Sequence, residues 1–158
     1  MRFAPPRASS APFEMDNLYR DFILEHYREP HNRGVLEPHD LQFADSNPTC
    51  GDELSMTLRL DPAGERIADV AFDGRGCAIS QASASIMTDE LRGMTLDDVR
   101  GMDARGVVEA LGVPIGPARL KCALLGYKVL QGAVIGSAVN WPEDADVLAQ
   151  AGGGGSAP

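Results

Sequence analysis

Three cysteines and one aspartate carry the chemistry that this sequence could perform: Cys50, Asp52, Cys77 and Cys122. Each cysteine falls where a backbone element is predicted to begin or end. Cys50-Gly51-Asp52 follows the turn-prone Ser46-Asn47-Pro48 and precedes an alternating apolar run that starts at Leu54. Gly74-Arg75-Gly76-Cys77 leads into a predicted helix, and Cys122 falls within the first two turns of another. Helix N-termini offer unpaired N–H groups and partial positive charge, which favours thiolate over thiol at Cys77 and Cys122. Thiolate is both the metal-binding and the nucleophilic form. Residues two apart in extended backbone face the same side, so Cys50 and Asp52 can act together. Three thiolates and a carboxylate would make a tetrahedral zinc site. Such a site is net negative, and Arg119 and Lys121, which flank Cys122, are the cations placed to offset it. A carboxylate is a harder donor than thiolate, so Asp52 is the ligand expected to leave first. Spacing alone leaves a second reading open. The separations of 27 and 45 residues match no compact paired-cysteine motif, and a free cysteine is often only a small buried hydrophobe.

The elements that must position these residues can be read from periodicity. Leu18, Tyr19, Phe22, Ile23, His26 and Tyr27 recur at helical spacing after a capping Asp16, and Pro30 ends that helix. A short strand is expected around Leu41–Phe43. Leu54, Met56, Leu58 and Leu60 alternate with polar residues as a half-buried strand. The turn Asp61-Pro62-Ala63-Gly64 then returns the chain through Arg66–Phe72 as an antiparallel hairpin. Helices follow: Ile79–Leu91, a short one capped by Thr95, another starting at Asp103 and finishing at Leu111-Gly112, and a long one opening on Pro117. In the last, Leu120, Ala123, Leu124, Tyr127, Leu130 and Val134 form the apolar stripe. Strands first and helices afterwards predict an α+β fold, a small antiparallel sheet with helices packed on it.

Composition bounds the function. The chain has 158 residues, 44% of them apolar, enough for one domain, expected over residues 15–148. Residues 1–14 and the Gly-rich 149–158 are expected to be unstructured. Fourteen basic against 23 acidic residues give a net charge of −9, which argues against nucleic acid and anionic membranes as partners. An odd, small number of cysteines argues against a disulfide scaffold, so a cytoplasmic location is expected. No run approaches the length of a membrane span, and residues 1–13 lack the apolar core of a secretion signal. A zinc hydrolase would need a cluster such as His-Glu-x-x-His, and a thioredoxin-type reductase would need Cys-x-x-Cys; both are absent. His26, His31 and Trp141 are read as structural, loop and packing residues rather than as ligands.

Four motifs in order resemble one family. Asn47-Pro48-Thr49-Cys50-Gly51-Asp52, Gly76-Cys77-Ala78-Ile79-Ser80 with Ala82-Ser83-Ala84-Ser85, and Ala118-Arg119-Leu120-Lys121-Cys122-Ala123 resemble the SufU and IscU (NifU N-terminal) iron–sulfur assembly proteins. Leu18-Tyr19 and His26-Tyr27 with Pro30, Asn32 and Gly34 resemble that family's opening helix and loop. The resemblance covers roughly residues 17–135. It implies a three-stranded antiparallel sheet with helices on one face, and Cys50, Asp52, Cys77 and Cys122 converging at one end as metal ligands. It also implies a cysteine desulfurase of the SufS or IscS type as partner, with downstream iron–sulfur assembly or acceptor proteins. Members of the SufU type are zinc-dependent sulfurtransferases; those of the IscU type are non-enzymatic scaffolds for a [2Fe–2S] cluster on the three cysteines. By resemblance to SufU, Cys50 would leave the zinc and accept the persulfide sulfur, with Asp52 and Arg119 assisting.

The two types differ in features that this chain mixes. Where IscU-type members carry a histidine before the third cysteine, the chain has Lys121. Arg119 and the Ala-Ile-Ser after Cys77 resemble SufU. Residues 93–116 are too short for the helical insertion usual in SufU, and the chaperone-binding Leu-Pro-Pro-Val-Lys of IscU is replaced by Ile115-Gly116-Pro117-Ala118-Arg119. A structural zinc protein without sulfur transfer is the plainer rival.

Overall fold

Alternation of buried and exposed residues builds the sheet. The computed structural model describes residues 12–142. Three antiparallel strands, β1 (Leu41–Asn47), β2 (Asp52–Leu60) and β3 (Ile67–Arg75), lie in the order β1-β2-β3. Leu54, Met56 and Leu58 of β2 and Val70 and Phe72 of β3 are buried and share one face, while Glu53, Ser55 and Arg59 face the other way. The β2–β3 turn closes as its residue types predict: the Asp61 carboxylate accepts the backbone N–H groups of Glu65 and Arg66.

Strand β1 runs further than its apolar pattern suggests. Its inward residues are Leu41, Phe43, Asp45 and Asn47, so the hydrophobic alternation stops while the strand continues. Ser46 and Asn47 are therefore strand rather than turn. The turn is displaced to residues 48–51, where the N–H groups of Cys50 and Gly51 donate to the Asn47 carbonyl at 3.2 and 2.8 Å.

The helices are α1 (Pro12–Arg28), α2 (Ala78–Thr88), α3 (Leu96–Arg100), α4 (Ala104–Glu109) and α5 (Pro117–Ile135). Helix α1 begins at Pro12, so Asp16 lies inside it and does not cap it. Residues 1–11 and 143–158, which hold most of the two terminal segments expected to be unstructured, lie outside the described residues. The predicted caps stand elsewhere. Thr95 and Asp98 form a reciprocal capping box on α3, the Asp103 carboxylate accepts the Arg105 N–H on α4, and Pro117 opens α5.

Helix α5 is buried on nearly all sides, not along one stripe, because it lies between the sheet and α2. Phe43 of β1 occupies the space that a side chain at Gly132 would take, which brings strand and helix into close approach. One helical turn earlier, Lys128 pairs with Asp45. Small residues on α2 let it approach α5, and the Ser83 hydroxyl donates to the Ala123 carbonyl at 2.7 Å. Helix α1 packs on α2, with buried His26 bonded through Nδ1 to the Ser85 hydroxyl at 2.6 Å. No helix among the described residues is long and apolar enough to cross a membrane.

The Asp45–Lys128 pair allows a stability test. Its side chains are 25% and 9% exposed, so Lys128→Met leaves a carboxylate poorly solvated and should cost about 1–3 kcal/mol in denaturant unfolding at neutral pH. Burial opposes ionisation of Asp45, but the Lys128 hydrogen bond and the Ser46 N–H outweigh it and hold the carboxyl below its ordinary range. The folded pKa is depressed, so this contribution is present above the unfolded carboxylate pKa of about 3.9 and is lost as pH falls through the folded value. The difference between wild type and Lys128→Met should therefore shrink in acid.

Candidate metal centre

Three separate stretches of chain deliver the site to one end of the sheet. The turn after β1 presents Cys50, which is exposed, and Asp52 follows as the first, buried residue of β2. The end of β3 turns through Gly76 into Cys77, which has extended backbone and occupies the N-cap position of α2. Cys122 sits in the second turn of α5 and is buried.

The Cys50 and Cys122 sulfurs are 3.4 Å apart, and a ligand atom from each of Cys50, Asp52 and Cys122 lies within 4.8 Å of the other two. Cys77, the fourth expected ligand, lies outside that 4.8 Å group and is tied in differently. Its backbone N–H donates to Asp52 Oδ1 at 3.0 Å, and its thiol adjoins that of Cys122. Asp52 thus takes the N–H of the N-cap residue of α2, as the second arm of a capping box does, while the Cys77 side chain makes no cap bond. Gly76 is what lets it: a Cβ there would lie 2.5 Å from Asp52 Oδ1 and 2.5 Å from Ser80 Oγ. The other carboxylate oxygen, Asp52 Oδ2, is buried with no hydrogen-bond partner among the described residues. Two sulfurs and an unpaired buried carboxylate oxygen within one group, with a third sulfur next to Cys122, suit a thiophilic divalent ion, so the donor types fit zinc.

The thiolate character expected of Cys122 from the N-terminal turns of α5 meets an opposing effect. Burial pushes its thiol up, and Cys50, Asp52 and Cys77 around it push in the same direction. The charge offset is not where it was expected. Lys121 stands over the Trp141 ring at 5.6 Å, and Lys128 lies over the same ring at 5.2 Å. Arg119 is exposed and makes no hydrogen bond or ion pair to the cysteines or Asp52. It lines a hollow of about 360 Å³ with Arg20, Ile23, Leu24, Ile79 and Val113. The dipoles facing the carboxylate come instead from the N-terminus of α2.

The fold and these residues agree with the comparison of the sequence with protein families, in which the model for the NifU-like N-terminal domain matches residues 18–138. The chain belongs to that family. The zinc-dependent sulfurtransferase SufU of Bacillus subtilis is 40% identical over 138 residues, covering 76% of this chain and 91% of that protein. The iron–sulfur cluster assembly scaffold protein IscU of Streptococcus pyogenes is 34% identical, over 79% and 87%. A crystal structure from Fervidobacterium islandicum, of a protein described as an iron–sulfur cluster assembly scaffold for the SUF system, superposes with a TM-score of 0.64 at 29% identity, covering 72% of this chain and 94% of that one.

Within this NifU-like domain, Asn47 adjoins the site, a position that its turn-like neighbourhood concealed. It pairs with Asp52 across the β1–β2 ladder, so the two side chains share a face. It is 1% exposed, and neither its Oδ1 nor its Nδ2 has a partner among the described residues. The signal available in the sequence was parity: Asn47 is two residues from Asp45 and four from Phe43, on the same face as both. Its buried amide therefore has unused donors on the strand face that Asp52 shares. Asn47→Asp puts a second carboxylate there, and should weaken zinc binding about tenfold or more in competition with a chromophoric chelator. Equal affinity would show that the amide does not face the cluster.

Proposed function

We propose that this NifU-like domain accepts sulfur at Cys50 from the persulfide of a cysteine desulfurase, at a site that holds Zn2+ through Cys50, Asp52, Cys77 and Cys122. The observation that carries the reading is the union of an exposed cysteine with a buried one 3.4 Å away and a buried, half-paired carboxylate. The 40% identity to a zinc-dependent sulfurtransferase supports it.

Zinc held by these residues would supply thiolate character, against the burial that pushes the Cys122 thiol up. Cys50, on a turn and open to solvent, has the reach that Cys122 lacks. Its thiolate attacks the terminal sulfur of the partner's cysteine persulfide. The partner's S–S bond breaks, the partner cysteine leaves as thiolate, and Cys50 now carries the persulfide; one S–S bond replaces another with no net oxidation. Asp52 stays bonded to the Cys77 N–H, so it can move its free oxygen without unfolding the end of α2. Arg119, at the rim of its apolar hollow and beside α2, is positioned to dock the desulfurase rather than to neutralise the thiolates. Purified protein should contain about one zinc per chain, with thiols that react only after chelation. Zinc well below that ratio, with freely titratable thiols, would overturn the reading.

A scaffold for a [2Fe–2S] cluster, passed on to acceptor proteins, is the second reading. It is favoured by the 34% identity to an IscU over 79% of the chain. It predicts a coloured protein after anaerobic reconstitution with iron and sulfide.

A further inference from the structure

A second group of ligating side chains lies at the far end of α2, and sulfur transfer does not use it. Helix α2 starts after Cys77 and ends at its C-cap, Asp89, a rise of about 18 Å. His26 comes from the last turn of α1, His31 from the loop that follows, and Asp89 from that C-cap. One ligand atom from each lies within 4.8 Å of the other two. His31 Nδ1 is 2.7 Å from Asp89 Oδ2, and the His26 and His31 rings are 4.4 Å apart between centroids, tilted by 48°.

The surroundings hold these groups in place. His26 is buried, and Ser85 Oγ bonds its Nδ1, which leaves Nε2 for another partner. The same hydroxyl oxygen accepts the His31 backbone N–H at 2.8 Å. Asp89 Oδ1 accepts from Asn32 Nδ2 at 3.0 Å, which leaves Oδ2 facing His31. An imidazole fixed through one nitrogen and a carboxylate fixed through one oxygen are how metal ligands are usually oriented by their outer partners.

We infer that His26, His31 and Asp89 form a second cation site, separate from the thiolates, for a first-row divalent transition ion such as Zn2+ or Co2+. Two imidazoles and one carboxylate select such ions over Mg2+ and Ca2+, which demand more oxygen donors. His31 and Asp89 are exposed, so the ion enters from solvent. It takes the place of the proton shared by His31 Nδ1 and Asp89 Oδ2, and that proton leaves to solvent or moves to Nε2. Occupancy joins the end of α1, the loop behind it and the end of α2 through one atom, and so braces the helix whose other end carries Cys77.

The test uses the full, zinc-loaded chain, in which tightly held zinc blocks the thiolates, titrated with Co2+. The expected result is a second equivalent of metal with weak visible bands, no sulfur-to-cobalt charge transfer, and a raised unfolding midpoint. His31→Ala and Asp89→Ala, both at exposed positions, should each lose the second equivalent and the raised midpoint while retaining zinc. Uptake of one metal only would overturn the inference, since the cluster would then be a hydrogen-bond network alone. A second equivalent unchanged in both variants, or one bearing thiolate charge-transfer bands, would overturn it as well.

Discussion

Cys50→Ser is expected to abolish persulfide formation on this chain, lowering it to the background of a sample without desulfurase. A serine hydroxyl at the same place is neither a thiolate nor a zinc ligand, so nucleophile and donor vanish together. The fold should not suffer. Cys50 is exposed on a turn whose closure depends on backbone N–H groups donating to Asn47, and these survive the change. Metal-free wild type and variant should therefore unfold within about 0.5 kcal/mol of each other, as surface substitutions usually do. Comparing metal-free forms separates the chemical loss from stability conferred by zinc. Persulfide retained by Cys50→Ser would move the acceptor to Cys77 or Cys122.

Gly76→Ala is expected to damage both structure and site through one methyl group. The added carbon would sit 2.5 Å from Asp52 Oδ1 and Ser80 Oγ, and 2.9 Å from Asp52 Cγ. None of these can give way cheaply. Asp52 starts β2 and is 2% exposed, its Oδ1 holds the Cys77 N–H, and Ser80 is fully buried on α2. Overpacking of this kind costs about 1–3 kcal/mol. Displacing Asp52 also loosens the N-terminus of α2, with Cys77 on it, so zinc affinity should fall about 10- to 100-fold. Denaturant unfolding and chelator competition measure the two effects separately. Unchanged zinc affinity would mean that the Asp52 carboxylate is not held for the metal by this contact.

What was legible in the sequence was local. The alternation of β2, the β2–β3 turn, the caps at Thr95 and Asp103 and the proline opening α5 depend on residues a few positions apart, and all stand in the fold. What was not legible depends on distant partners. Strand β1 reaches Asn47 because Asp45 meets Lys128, 83 residues away, so its polar inward positions looked like the approach to a turn. The same distance effect misplaced the charges. Lys121 and Arg119 stand one and three residues before Cys122, yet Trp141 faces one and an apolar hollow adjoins the other. Helix position favours thiolate at Cys122, whereas burial and its neighbours, which sequence position does not show, push its thiol up. Separations of 27 and 45 residues carry no geometry of their own. The ends of three strands and two helices bring the cysteines together, and only the ordered motifs announced it.

Sulfur acceptance at Cys50 is tested most directly by peptide mass spectrometry. The zinc-loaded chain is incubated with a cysteine desulfurase and cysteine, its thiols are alkylated, and each cysteine peptide is weighed. The expected result is the mass of one added sulfur on the Cys50 peptide, dependent on the desulfurase and absent from Cys50→Ser. Sulfur on Cys122 alone, or on no cysteine while the desulfurase turns over, would contradict it.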